Sequence, residues 1–148
     1  MKKTIVTTLA LLALASPAKA DPPQLHDERP PLIMSLEFYY RLGSCETGKG
    51  YRDAQGRYFQ PPRWDYNRNG YTGAFGIYKG TARQFGYKDL HTLDAYSQAR
   101  AFDVIAFLGN EHSKPVGVNG WGCIRRHKKL QDMIKASKHP ATKGWKLT

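Results

Sequence analysis

Residues 35–50 read SLEFYYRLGSCETGKG. Ser35 is a good N-cap, and Leu36, Tyr39, Tyr40 and Gly43 recur at i, i+3, i+4 and i+7, the spacing of one buried helix face. Gly48 is placed to end such a helix. The pattern predicts a helix from about Ser35 to Glu46, with Cys45 and Glu46 in its last turn. A carboxylate there meets the partial negative charge of the helix end, and a disulfide and aromatic rings beside it would strip water from it. Both effects lift a glutamate above its ordinary pKa of about 4.3. A carboxyl still protonated near neutral pH is a proton donor. Most glutamates at helix ends are simply solvated, so the rest of the chain has to decide.

Ahead of this helix, MKKTIVTTLALLALASPAKA (1–20) has the order of a secretory signal peptide: Lys2 and Lys3, an apolar run from Ile5 to Ala15, and Ala18-Lys19-Ala20 as a cleavage site near Ala20. The apolar run falls short of the ~20 residues that span a bilayer, and no later segment approaches that length. A secreted or periplasmic protein without a transmembrane segment is expected. Residues 21–34 form a proline-rich lead-in. Export puts Cys45 and Cys123, the two cysteines, in an oxidising compartment, where a disulfide between them is the default. No CxxC motif and no HxxxH spacing is present, so neither a metal site nor a cofactor is expected.

Without the signal peptide the net charge of +11 falls to +8. Almost all of it lies at the C-terminal end. Residues 124–148 carry Arg125, Arg126, Lys128, Lys129, Lys135, Lys138, Lys143 and Lys146 against Asp132 alone, a net +7. Residues 125–148 read as a basic tail, with a helix over 125–136 that has Leu130, Met133 and Ile134 on its apolar side. Between the two ends, YRDAQGRYF (51–59) suggests a hairpin, QPPRW (60–64) a rigid connector, and Asn69-Gly70 a tight turn. A short helix is expected over Gly80–Phe85. A longer one, capped by Asp94, runs to about Leu108, with Ala95, Ala99, Phe102 and Ala106 along one stripe. KPVGVNGWGC (114–123) reads as a glycine-rich loop. The fold class is α+β, mainly α, in one domain over residues 35–124 with a small β-region and one disulfide.

A second motif gives Glu46 its meaning. NGYTGAFGIYKGTARQFG (69–86) interleaves five glycines with Tyr71, Phe75, Tyr78 and Phe85. Glycines admit a ligand close to the backbone, and aromatic rings offer flat faces to sugars. In order and spacing, Cys45-Glu46-Thr47-Gly48-Lys49, Trp64, Asn69-Gly70-Tyr71-Thr72-Gly73-Ala74, Gly76 to Ala82, Gln98 and Trp121-Gly122-Cys123 resemble the transglycosylase-like domain of the resuscitation-promoting factors. That family belongs to the wider lysozyme-like superfamily. The resemblance covers about residues 36–124. It departs from the family at Gly76, where the family has a glutamine, and in about a dozen residues inserted between Glu46 and Trp64.

The resemblance implies an exported enzyme that cleaves the β-1,4 bond between N-acetylmuramic acid and N-acetylglucosamine in peptidoglycan, with Glu46 as catalytic acid/base. Tyr71, Thr81, Gln98 and Trp64 would contact the glycan. Trp121, two residues from Cys123, reads as core. A lytic transglycosylase is the expected reaction type. A lysozyme-type hydrolase using a second carboxylate, Asp65 or Asp53, is the alternative, as is a non-catalytic wall or polyanion binder. Peptidoglycan strands are the expected partner of a monomer whose basic tail draws it to an anionic wall or membrane surface. Export argues against nucleic acid.

Overall fold

Ser35 caps the first helix as its residue type predicts: its hydroxyl accepts the backbone N–H of Phe38, and α1 runs from Leu36 to Thr47. The computed structural model describes residues 29–48 and 61–147. The chain divides into two units, Met1–Pro30 and Pro31–Thr148, and every element described here belongs to the second. The signal peptide, most of the proline-rich lead-in, Asp53 and the hairpin expected over 51–59 lie outside the described residues.

The order after α1 is three short strands, β1 (Asn67–Arg68), β2 (Tyr71–Thr72) and β3 (Ile77–Tyr78), then α2 (Lys79–Gln84), α3 (Ala95–Asp103), α4 (Gly122–Arg126) and α5 (Lys128–Ala136). The strands form one antiparallel sheet in the order β1-β2-β3, with Arg68 opposite Tyr71 and Tyr71 opposite Tyr78. Asn69 and Gly70, both at positive φ, make the two-residue turn that their pair predicts. Asp94 caps α3 by accepting the N–H of Ser97. Beyond Asp103 the helix widens into a π turn, Val104–Leu108, which stops at Gly109 with φ 71°. The chain is α+β and largely helical, with a small sheet and one disulfide. Among the described residues no helix is long and apolar enough to cross a membrane.

The core is aromatic. Phe75 packs against Tyr39, Trp64 and Phe102, and Phe102 packs edge-on against Trp121 with ring centroids 4.7 Å apart. The buried face of α1 keeps Tyr39 and Gly43 of the expected stripe and is otherwise turned away from it. Phe38, Tyr39, Leu42, Gly43 and Thr47 point inward, whereas Leu36 is 75% and Tyr40 45% exposed. Of the second predicted stripe Ala95 is exposed, while Ala99, Phe102 and Ala106 are buried, and Gln98 and Asp103 are buried beside them. Asp103 is satisfied by two donors from elsewhere: the Tyr39 hydroxyl and the Ile33 backbone N–H at 3.0 Å. Burial still pushes its carboxyl up to about 6, against the pull of those hydrogen bonds. Tyr39 in turn accepts the N–H of Met34, so the end of the lead-in is fastened to the core.

Cys45 and Cys123 are joined, with Cα atoms 6.0 Å apart and a sequence separation of 78. Closing a loop of that length stabilises the fold by up to about 4.5 kcal/mol in chain-entropy terms. The cross-link ties the last turn of α1 to α4.

Residues 125–147 are not an appended tail. The predicted helix over 125–136 is two helices that meet at His127, where the backbone turns extended. The carbonyls of Ile124 and Arg125, freed by that break, accept hydrogen bonds from the Gln131 amide. Leu130 and Ile134 are buried in the same core as α1, and Met133, Trp145 and Leu147 pack against it. Lys128, Lys129 and Lys135 occupy the outer side of α5, whose inner side belongs to the domain.

Candidate active site

Glu46 has a clamp on each side. Cys45, before it, is held by the disulfide. Thr47, after it, directs its hydroxyl at the carbonyls of Gly43 (3.0 Å) and Ala74 (2.8 Å) and accepts the N–H of Arg63. Gly43 is part of the same fit, since a Cβ there would lie 2.8 Å from Cβ of Pro62. The last turn of α1 is therefore held against the loop after β2 and against the connector before β1.

The Glu46 side chain points from this clamp into a groove of about 480 Å³, lined also by Tyr66, Tyr71, Gly76, Ile77, Tyr78, Thr81, Val116, Gly120 and Trp121. Its Oε1 accepts the backbone N–H of Cys123 at 2.8 Å. Burial raises its pKa; the Cys123 hydrogen bond and the charges of Arg126 and Arg125 pull the other way, and burial prevails. Gly76 lies across from it. With φ 56°, this position suits glycine, and a Cβ would come within 3.9 Å of Glu46 Cβ. The absent side chain leaves the space over the carboxyl open.

Of the residues expected to contact glycan, Tyr71 and Thr81 line this groove with Glu46. Tyr71 is held edge-on to Tyr78 at 5.9 Å, as cross-strand partners in β2 and β3. Gln98 is elsewhere. It is fully buried, its Oε1 accepts the N–H of Ala74, and its amide donates to the carbonyls of Trp64 and Leu93 at 2.9 and 2.8 Å. An amide so used has no spare group for a ligand. Gln98 instead holds the loop that carries the groove wall from Gly76 to Tyr78. Trp64 is half-buried and packs on Phe75, not in the groove lining. Asp65 is exposed and is not a lining residue either. Trp121 does two things: its indole N–H donates to the Phe75 carbonyl within the core, and its edge forms part of the groove.

Sequence reasoning passed over Tyr66 and gave Tyr78 no role of its own. The signal for Tyr78 was available, because a two-residue turn at Asn69-Gly70 sets the register that brings the following strands, and so Tyr71 and Tyr78, together. Nothing local marks Tyr66, whose place depends on the Gly73 N–H donating to its carbonyl and on the Arg63 guanidinium 5.7 Å from its ring.

The Cys45 and Cys123 sulfurs and a ring nitrogen of His127 lie within 4.8 Å of one another. Bonded to each other, the sulfurs carry no thiolate charge and make poor metal ligands. No protein-family model, curated protein or solved structure matches the chain.

Proposed function

We propose that this chain is an exported peptidoglycan-cleaving enzyme of lysozyme-like type, a lytic transglycosylase in which Glu46 acts as both acid and base. The observation that carries this reading is a half-buried glutamate with raised pKa, clamped at both neighbours and opening into a groove with three tyrosines and a tryptophan. Flat rings around a single proton donor suit a sugar chain better than a compact charged ligand.

The chemistry follows from what the carboxyl faces. Oε1 is occupied by the Cys123 N–H, so Oε2 is the oxygen that carries the transferable proton. Glu46 gives this proton to the bridging oxygen as the C1–O bond breaks, and the departing N-acetylglucosamine leaves with a free 4-hydroxyl. The carboxylate then takes the proton of the muramyl 6-hydroxyl, whose oxygen closes on C1 to give a 1,6-anhydro end. One carboxyl serves both steps. Hydrolysis in the usual manner needs a second, about 5–5.5 Å away for retention or about 6.5–9.5 Å for inversion. Among the described lining residues, Glu46 is the one carboxylate.

Mass spectrometry of the fragments released from purified peptidoglycan tests this reading. Anhydro-muramyl ends are expected, and Asp65→Asn is expected to retain most of the activity. Reducing ends alone, with Asp65 required, would mean a hydrolase. Binding without release of fragments would mean a wall-binding protein and no enzyme.

A further inference from the structure

The positive charges of Arg126 and Arg125 act on the proposed catalytic acid, and they work against it. A proton donor benefits from burial, whereas Arg126 and Arg125 favour the ionised carboxylate. Among the described residues neither is in an ion pair, although Arg41, Lys128 and His112 each have a carboxylate partner. The position of Arg126 is defined. A Cβ on Gly122 would meet its Nη1 at 2.9 Å, so the guanidinium lies directly against that backbone, and its Nη2 is 3.8 Å from Cys123 Sγ. Gly122 follows Trp121 and Gly120, which form the groove wall, and precedes Cys123, whose N–H holds Glu46.

We propose that Arg126 binds a carboxylate carried by the muramyl residue of the strand, and so selects strands that present one beside the scissile bond. The proposal rests on the glycan-cleaving reading of the groove. A planar guanidinium on a glycine backbone is suited to bidentate contact with a carboxylate. Once that contact forms, the positive charge near Glu46 is neutralised. The acid is then more readily protonated in the complex than in the free enzyme, which couples recognition of the correct strand to readiness for proton transfer. The carboxylate has two possible sources: the lactyl group of strands stripped of peptide, or the stem peptide of intact strands.

The test compares kcat and KM on intact strands, on amidase-stripped strands, and on each after conversion of its carboxylates to methylamides. Wild type is expected to lose about tenfold or more in kcat/KM when the relevant carboxylate is blocked, the scale of one hydrogen-bonded charge contact. Which pair of substrates shows the loss identifies the source. Arg126→Gln is expected to abolish that preference, with Arg126→Lys restoring part of it and both variants melting like wild type. The descending limb of kcat should also lie at higher pH than that of kcat/KM on the preferred strand. In Arg126→Gln the two limbs should come together. The charges acting on Glu46 are those of Arg126 and Arg125, and the titratable groups that share its groove are Tyr66, Tyr71 and Tyr78, so the Gln variant removes one named charge. Equal cleavage of blocked and unblocked strands by wild type, or an unaltered preference in Arg126→Gln, would overturn the proposal and leave the glycan-cleaving reading standing. Failure to cleave any of the four substrates would remove that reading and this proposal with it.

Discussion

Glu46→Gln is expected to lower turnover of peptidoglycan by about 10²- to 10⁴-fold, the contribution of one positioned acid–base group, without loss of the fold. Glutamine has the same shape, and its carbonyl oxygen still accepts the Cys123 N–H that Glu46 Oε1 now takes. It lacks a transferable proton. The effect on stability should run the other way. Burial raises the pKa of Glu46 in the folded protein, so the native state holds its proton more tightly than the unfolded chain does. The stability linked to that proton is complete below the ordinary glutamate pKa and is lost as pH rises through the raised one. At neutral pH the variant should therefore melt at the same temperature as wild type or above it, the advantage fading on acidification. Thermal melts at several pH values and fragment release from the same preparation check both halves. A well-folded variant that keeps more than about a tenth of wild-type turnover, where one acid–base group is worth about 10² or more, would remove Glu46 from the chemistry.

The second large effect is on folding, and it lies in the basic C-terminal part. Leu130→Ala and Ile134→Ala should each cost about 2–5 kcal/mol, the range for emptying a buried aliphatic site, because both side chains are almost fully enclosed in the core. Removing residues 128–147 deletes both, together with the partly buried Trp145, and should leave a chain that no longer folds cooperatively. Exposed Lys129→Gln and Lys135→Gln should change stability by no more than about 0.5 kcal/mol, while weakening attraction to an anionic wall at low salt. Denaturant melts of the four point variants separate the two faces of α5. Equal effects at the buried and exposed positions would mean that α5 does not pack as described.

What was legible in the sequence was local chemistry. Ser35 and Asp94 cap helices, Asn69-Gly70 turns a hairpin, and the two cysteines pair; each needs only its neighbours or a single partner. Glu46 stood out because a cysteine and two glycines surround it. The face of α1 was legible only in part, at Tyr39 and Gly43. Apolar residues at 36, 38, 39, 40 and 42 nearly encircle the helix, so periodicity permits more than one stripe. The choice is made by Phe102 and Asp103, which receive Phe38 and Tyr39 from sixty or more positions away. Gln98 and Asp103 were hidden for a related reason. A polar residue on a helix reads as exposed until its partners are known, and here they are the Trp64 and Ala74 backbone and the Tyr39 hydroxyl. In residues 125–148 the net charge masked an apolar stripe that was in view, because charge counted along a segment does not say which side of a helix bears it.

Burial in the groove holds the Glu46 carboxyl above its ordinary pKa, and the proposed chemistry depends on the proton this retains. Carbon-13 titration of the Glu46 carboxyl, followed with the pH dependence of kcat/KM on a soluble glycan strand, tests it most directly. The expected midpoint lies clearly above the ordinary glutamate value of about 4.3, with a rate that falls with rising pH through that same midpoint. A carboxyl that titrates at or below the ordinary value, or a rate that passes through its titration unchanged, would contradict it.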